Sequence, residues 1–266
     1  MSTSSKNTSK HLKINFKFND TPLVVDVLIK ENDLKKINRS SRLIKSNKKS
    51  SSITLCDDFF NDEVKNKIRF ILVYKDFKWV IKKPNEDVSA KFEFEISDID
   101  LKQSENNIFF ILESPHRDEY SPDDKMTPKV PANGKTGENL NEYFTSHVLP
   151  ILIGFGLKLD IKKEYNFCLI NPVPYQASLG NLYPKGLISN IRDGMWKTLY
   201  KYTRVKFENL FNIYKPIIVI NACTTEFKDS VQESINKKTS TTMKFTTTHP
   251  SSWHIYFSNF QKYDHN

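Results

Sequence analysis

Four short apolar runs in the second half of the chain, residues 108–112, 165–170, 217–220 and 243–247, are separated by stretches long enough to hold a helix. Strands joined by helix-length crossovers pair in parallel, and a parallel sheet is covered on both faces. Segments 136–152, 187–214 and 225–237 read as the helices; the last sets Phe227, Val231 and Ile235 at i, i+4 and i+8, one apolar stripe for the sheet. The spacing predicts an α/β fold over residues 105–266, a three-layer α/β/α sandwich built on a short parallel sheet.

The first half has another rhythm. Residues 1–10, rich in Ser, Thr and Lys, read as a disordered tail, and residues 11–18 alternate Leu12, Ile14, Phe16 and Phe18 as a half-buried strand does. Residues 67–83 read as two β runs around a Lys75-Asp76 turn, and residues 91–96 as a third, with Phe92, Phe94 and Ile96 on one face. The polar, basic stretch 40–52 reads as a loop, suited either to phosphate contact or to solubility alone. The expectation is a basic, β-rich, antiparallel N-terminal module at 11–104, closed by the polar break 102–107.

The first fifty residues carry twelve Lys/Arg against four Asp/Glu, nearly the whole formal net charge of +9. Such an excess suits an anionic partner, and nucleic acid is the commonest for a basic protein. Cys56, Cys168 and Cys223 have no CxxC spacing and are too few for a disulfide framework or a four-thiolate cluster. A reducing cytoplasm is the expected compartment. The longest apolar stretch, 148–157, is broken by Pro150 and two glycines, so neither a membrane span nor a secretion signal is expected.

Three of the runs lead into a polar residue that can carry chemistry: Glu113 after the first, Asn171 after the second, His249 after the fourth. In open α/β sheets that edge is where ligands bind. These ends, together with their neighbours, resemble the uracil-DNA glycosylase superfamily, most closely its thermophile-type branch with a Gly-Glu-Ala-Pro-Gly first motif. Leu112-Glu-Ser-Pro-His116 is similar to that motif. The segment from Val130 through Gly137 to Leu140 resembles the loop leading into the family's first helix. Asn171 falls at its base-reading position, Tyr214-Lys-Pro-Ile-Ile-Val-Ile resembles its third strand, and His249-Pro-Ser-Ser resembles its closing His-Pro-Ser motif.

The resemblance implies a glycosylase that flips a base out of DNA and hydrolyses its N-glycosidic bond. Glu113 would supply the anion that faces the sugar and orients water, His249 would donate to the departing base, and Asn171 would read its edge. Gly134, Lys135, Thr136 and Gly137, with Ser251 and Ser252, would hold phosphates, and Trp253 would be the wedge that fills the emptied stack. No catalytic lysine is indicated, so the product would be an abasic site. No metal or other cofactor is implied, and no protein partner is identified.

Two departures bear on the substrate. Ala132 falls where the family commonly has a phenylalanine stacked on uracil, and His116 replaces a small residue after the motif's proline. The cysteines that ligate the thermophile-type iron-sulfur cluster are absent. A roomier pocket suits a bulkier modified base, such as a hypermodified cytosine or uracil in phage DNA, with antiviral defence as the setting. The alternatives are an ordinary uracil-DNA glycosylase of base excision repair, a catalytically inactive DNA-binding module of the same fold, and a metal hydrolase using Glu113, His116, His249 and His254. Chain spacing fixes no third ligand for the last.

Overall fold

Strand β1 (Ser9–Phe18) buries Leu12, Ile14, Phe16 and Phe18 and turns the intervening residues outward or to the margin, as the period-two geometry of a strand requires. The computed structural model describes residues 8–38, 41–49, 51–83, 100–121, 126–182, 189–239, 242–253 and 259–263. A two-residue turn at Asn19 and Asp20, with φ of 48° and 60°, folds β1 onto the antiparallel β2 (Thr21–Lys30). Positive φ at both positions is the hairpin geometry that Asn and Asp tolerate best after glycine. A single helical turn, α1 (Glu31–Leu34), follows, then β3 (Ile44–Lys49) and β4 (Ser52–Leu55). The four strands form one sheet in the order β2-β1-β4-β3.

Three expectations change here. Ser9 and Lys10 belong to β1, so a tail reaching residue 10 runs two residues too far. The basic stretch expected as a loop contains β3, which pairs with β4 through two register shifts. The sheet is mixed, because β4 runs parallel to β1. The run at 91–96 lies outside the described residues.

Strands β5 (Lys67–Lys75) and β6 (Lys78–Lys82) form the expected hairpin, with Asp76 and Phe77 at its turn. They do not join the first sheet. β5 buries Ile68, Phe70, Leu72 and Val73 on both faces, so it needs a neighbour in a covered sheet, and it finds one in β8 (Tyr165–Ile170), where Phe70 stacks on Phe167 at 4.3 Å. The boundary expected at residue 104 therefore does not separate two structural units.

The larger sheet completes the chain: β7 (Asn107–Ile111), α2 (Lys135–Tyr143), α3 (Leu149–Gly154), β8, α4 (Ser189–Tyr214), β9 (Ile218–Asn221), α5 (Thr225–Lys238), β10 (Met243–Thr246) and β11 (Gln261–Lys262). Its seven strands lie in the order β11-β10-β9-β7-β8-β5-β6. The four in the middle, β10, β9, β7 and β8, are parallel. The chain is thus mixed α/β with two mixed sheets. A turn of π-helix, Phe144–Val148, separates α2 from α3 within the segment expected as one helix. No helix among the described residues is long and apolar enough to cross a membrane.

Alternation along β7 divides the core. Ile108 and Phe110 pack with Leu140, Phe144, Val148 and Leu152 of the α2–α3 segment, while Phe109 and Ile111 pack with Phe211 of α4 and with Phe227, Val231 and Ile235 of α5. Helix α4 also meets the smaller sheet. A methyl group at Gly194 would come within 2.9 Å of Val25 and of Val27 on β2, so the missing side chain permits close approach of helix and strand. Core residues from both sheets form one continuous cluster.

From β7 the chain crosses to β8 on one side and later to β9 on the other, with connecting helices on opposite faces. The C-terminal edge between β7 and β9 is therefore a topological switch point, the usual ligand crevice of an open α/β sheet.

Candidate active site

The parallel ladder holds to the last residue of β7 and one beyond: Leu112 N–H donates to the Ile170 carbonyl and Ala222 N–H to the Ile111 carbonyl, each at 2.9 Å. Past Leu112 the chain leaves the sheet, and Glu113 is the first polar side chain to line the crevice. Trp196 of α4 fixes its backbone, donating Nε1–H to the Glu113 carbonyl at 2.9 Å. Thr224, the residue that caps α5, fixes its side chain, donating to Oε2 from its backbone N–H at 3.2 Å and from its hydroxyl at 2.5 Å. A carboxylate thus sits at the start of a fourteen-residue helix, where the aligned peptide dipoles favour an anion. The other oxygen, Oε1, lies 3.6 Å from Arg192 Nη1. Asp193 and the face of Phe227 hold that guanidinium in turn.

His249 reaches the same crevice from the end of β10. It begins the helical turn Pro250–Ser252, and its Nδ1 accepts the Ser251 N–H at 3.3 Å, with Ser251 Oγ at 2.9 Å. A backbone N–H can only donate, so Nδ1 is the acceptor and the neutral ring carries its proton on Nε2. Burial lowers the imidazole pKa below its usual 6.5; the negative charge of Glu113 opposes this, and the positive charges of Arg192 and Lys228 add to it. The ring is neutral at pH 7. Asn139 of α2 pins the turn by donating to the Pro250 carbonyl at 2.7 Å.

Glu113 and His249 line one cleft of about 420 Å³. His116, Ala132, Gly134, Lys135, Thr136 and Ser251 line it too. Eight residues singled out from scattered motifs therefore converge on a single site. Ala132 is buried in the left-handed region at φ 57°, so a methyl group stands at the wall where a ring was expected. Gly134 is extended, Lys135 is exposed beside Glu138, and Thr136 follows in the first turn of α2. His116 pairs with Asp118 at 3.1 Å.

Comparisons with family models, curated proteins and solved structures found no match.

Four of the expected residues are placed elsewhere. Asn171 is 3% exposed and lines a different, smaller cavity beside α4, with Thr203 and Phe207; both polar atoms of its side chain lack a hydrogen-bond partner. Trp253 is fully buried, edge-on to Phe110 at 5.7 Å, and donates Nε1–H to the Thr248 carbonyl, so it is a core residue and not a wedge. Gly137 is buried where a Cβ would fall 2.1 Å from the Ala132 carbonyl oxygen, so its role is close packing rather than phosphate contact. Ser252 turns its hydroxyl back to the His249 carbonyl at 2.7 Å.

The sequence reading missed Arg192, Thr224, Glu119 and Ser178. Thr224 lies three residues past β9, whose first polar residue is Asn221, so the strand-end logic that finds Glu113 stops short of it. Arg192 sits one turn into a long helix and carries no local signal. Cys223, next to the site, donates its thiol to the Leu112 carbonyl at 2.8 Å, and burial beside Glu113 pushes its pKa well above the usual value; it is no nucleophile. Lys228 donates to the Thr247 carbonyl at 2.6 Å. Among the described residues no group of three or more His, Cys, Asp or Glu is arranged to hold a metal ion. His254, the fourth ligand of the metal-hydrolase alternative, lies outside the described residues.

Proposed function

We propose that this chain is a monofunctional DNA glycosylase that flips a base into the cleft and hydrolyses its N-glycosidic bond with water, leaving an abasic site. The observation that carries the reading is the pairing of an anchored carboxylate, Glu113, with a neutral Nε2–H donor, His249, across one cleft at the switch point of a parallel sheet. Cleavage of the bond builds positive charge on the sugar and negative charge on the leaving base, so a preorganised anion and a preorganised donor lower the barrier from opposite ends. Thr224 occupies Oε2 of Glu113, leaving Oε1 to accept a proton from the attacking water. His249 donates Nε2–H to an oxygen of the base as charge gathers there. Arg192 and the N-terminus of α2, at Gly134 to Thr136, are suited to flanking phosphates.

The strand order β8-β7-β9-β10, with helices on both faces, supports a three-layer α/β/α arrangement around the parallel core. What supports a bulkier substrate class is the wall at Ala132, which offers a methyl group in place of a stacking ring, in a cleft of about 420 Å³. We therefore place the target among bulkier modified cytosines or uracils, such as those of phage DNA, in a cytoplasmic defence role. Incubating the purified protein with uracil-containing DNA and with hypermodified phage DNA tests this. Abasic sites in the modified DNA support it; abasic sites only in the uracil substrate reject the substrate class, and DNA binding without any abasic product rejects catalysis.

A further inference from the structure

One polar group in the cleft has no part in the reaction described above. Glu119 follows Glu113 by six residues, in the helical turn Arg117–Glu119, and lines the cleft with only 7% of its surface exposed. Its Oε2 has no hydrogen-bond partner, although backbone groups of His116 and Ala132 bond to the carboxyl. A polar atom buried without a partner is costly and is uncommon in a finished structure unless a ligand or water completes it. The amide expected to read the base, Asn171, lines another cavity. The cleft therefore lacks the Asn171 amide; the Asn133 amide that lines it already donates to the Asp118 carbonyl, and Glu119 keeps an oxygen without a partner.

We propose that Glu119, rather than Asn171, reads the hydrogen-bonding edge of the flipped base. This rests on the glycosylase reading and names the group that selects its substrate. Burial is the main cause that pushes the Glu119 carboxyl up to about 8, Asp118 adds to the rise, and the nearby Arg69 charge and the two backbone bonds oppose it. The acid is accordingly protonated at neutral pH. The backbone bonds hold the other oxygen, so Oε2 is the atom left for the base: its O–H can donate to O4 of a uracil-type base or N3 of a cytosine-type base, and a lone pair of the same oxygen can accept from the adjacent N3–H or N4–H. Substituents at C5 lie off that edge. Ala132 connects the two properties, since its backbone holds the Glu119 carboxyl and its side chain leaves room at the wall.

The test is equilibrium binding of free bases to the intact chain by titration calorimetry, with uracil, cytosine, 5-hydroxymethylcytosine and 3-methyluracil as probes, alongside KM and kcat for whichever DNA releases a base. The expected result is that 3-methyluracil, whose edge is blocked, binds about tenfold or more weaker than uracil. Glu119→Ala should weaken uracil and cytosine by a similar factor and raise KM more than it lowers kcat, while Glu119→Gln, which keeps a donor and an acceptor, stays within about threefold of wild type. Asn171→Ala should leave base affinity unchanged. Equal binding of 3-methyluracil and uracil, undiminished affinity in Glu119→Ala, loss in Glu119→Gln as large as in Glu119→Ala, or no binding of any probe overturns the proposal. Glu119-dependent base binding without release from any DNA would uphold this inference and remove the glycosylase reading; release from DNA with binding indifferent to Glu119 would do the reverse.

Discussion

Glu113 depends on two neighbours, Thr224 and Arg192. Thr224 holds one carboxylate oxygen by two hydrogen bonds, and Arg192 stands 3.6 Å from the other. Glu113→Gln removes the anion while keeping the shape, and should lower single-turnover excision by about 10²–10³-fold with an unchanged circular dichroism spectrum. His249→Ala should cost about 10²-fold or more, as expected for a lost proton donor in the transition state. Glu119 makes a prediction of opposite sign for stability. Its folded-state pKa of about 8 lies above the ordinary 4.5, so its contribution is fully present below pH 4.5 and is lost as pH rises toward and through 8. Glu119→Gln does not titrate; its melting temperature relative to wild type should therefore rise between pH 4.5 and 8, and a difference that stays flat across that window would contradict the buried acid. Trp253→Ala should destabilise the fold by about 3–5 kcal/mol in denaturant unfolding, because the indole is core.

At the scale of elements, the four parallel strands and the helices between them were legible, because apolar runs and 3.6-residue periodicity act locally and each element follows its own pattern. Strand β8 begins and ends where its pattern does, and Phe227, Val231 and Ile235 face the core as their spacing requires. What depends on long-range packing was not legible. β5 reads equally well as a strand of either sheet, and only its pairing with β8 decides between them. For Trp253 the resemblance implies a wedge while its residue type favours the core, and the packing of Phe110 and Phe260 around it decides for the core. Asn171 stands at the end of its strand as expected, but its neighbour Pro172 and the side of α4 give it another cavity. Gly137 is the element-level test of the site: Gly137→Ala would force a Cβ against the Ala132 carbonyl. Overpacking of that kind costs about 1–3 kcal/mol, and it should also impair base binding by shifting the Ala132 wall.

For the molecule as a whole, the two sheets share one core, so the described strands before residue 84 are structural parts of it. A chain beginning at residue 105 would lack β5 and β6, expose the edge of β8, and strip β2 from α4. It should fail to unfold cooperatively, whereas independent folding of residues 105–266 would restore the two-domain view. The charge of the N-terminal segment is partly neutralised where it is described, with Lys17 and Lys45 both paired to Asp57 and Lys10 to Glu31. DNA binding should still weaken as salt rises, since each phosphate contact releases counterions. The central claim is the reaction itself, and mass spectrometry of the material released from a panel of normal and hypermodified DNAs tests it most directly. The account predicts a free modified pyrimidine and an abasic strand with wild-type protein, and neither with Glu113→Gln; release of no base from any DNA, or equal release by the Glu113→Gln protein, would contradict it.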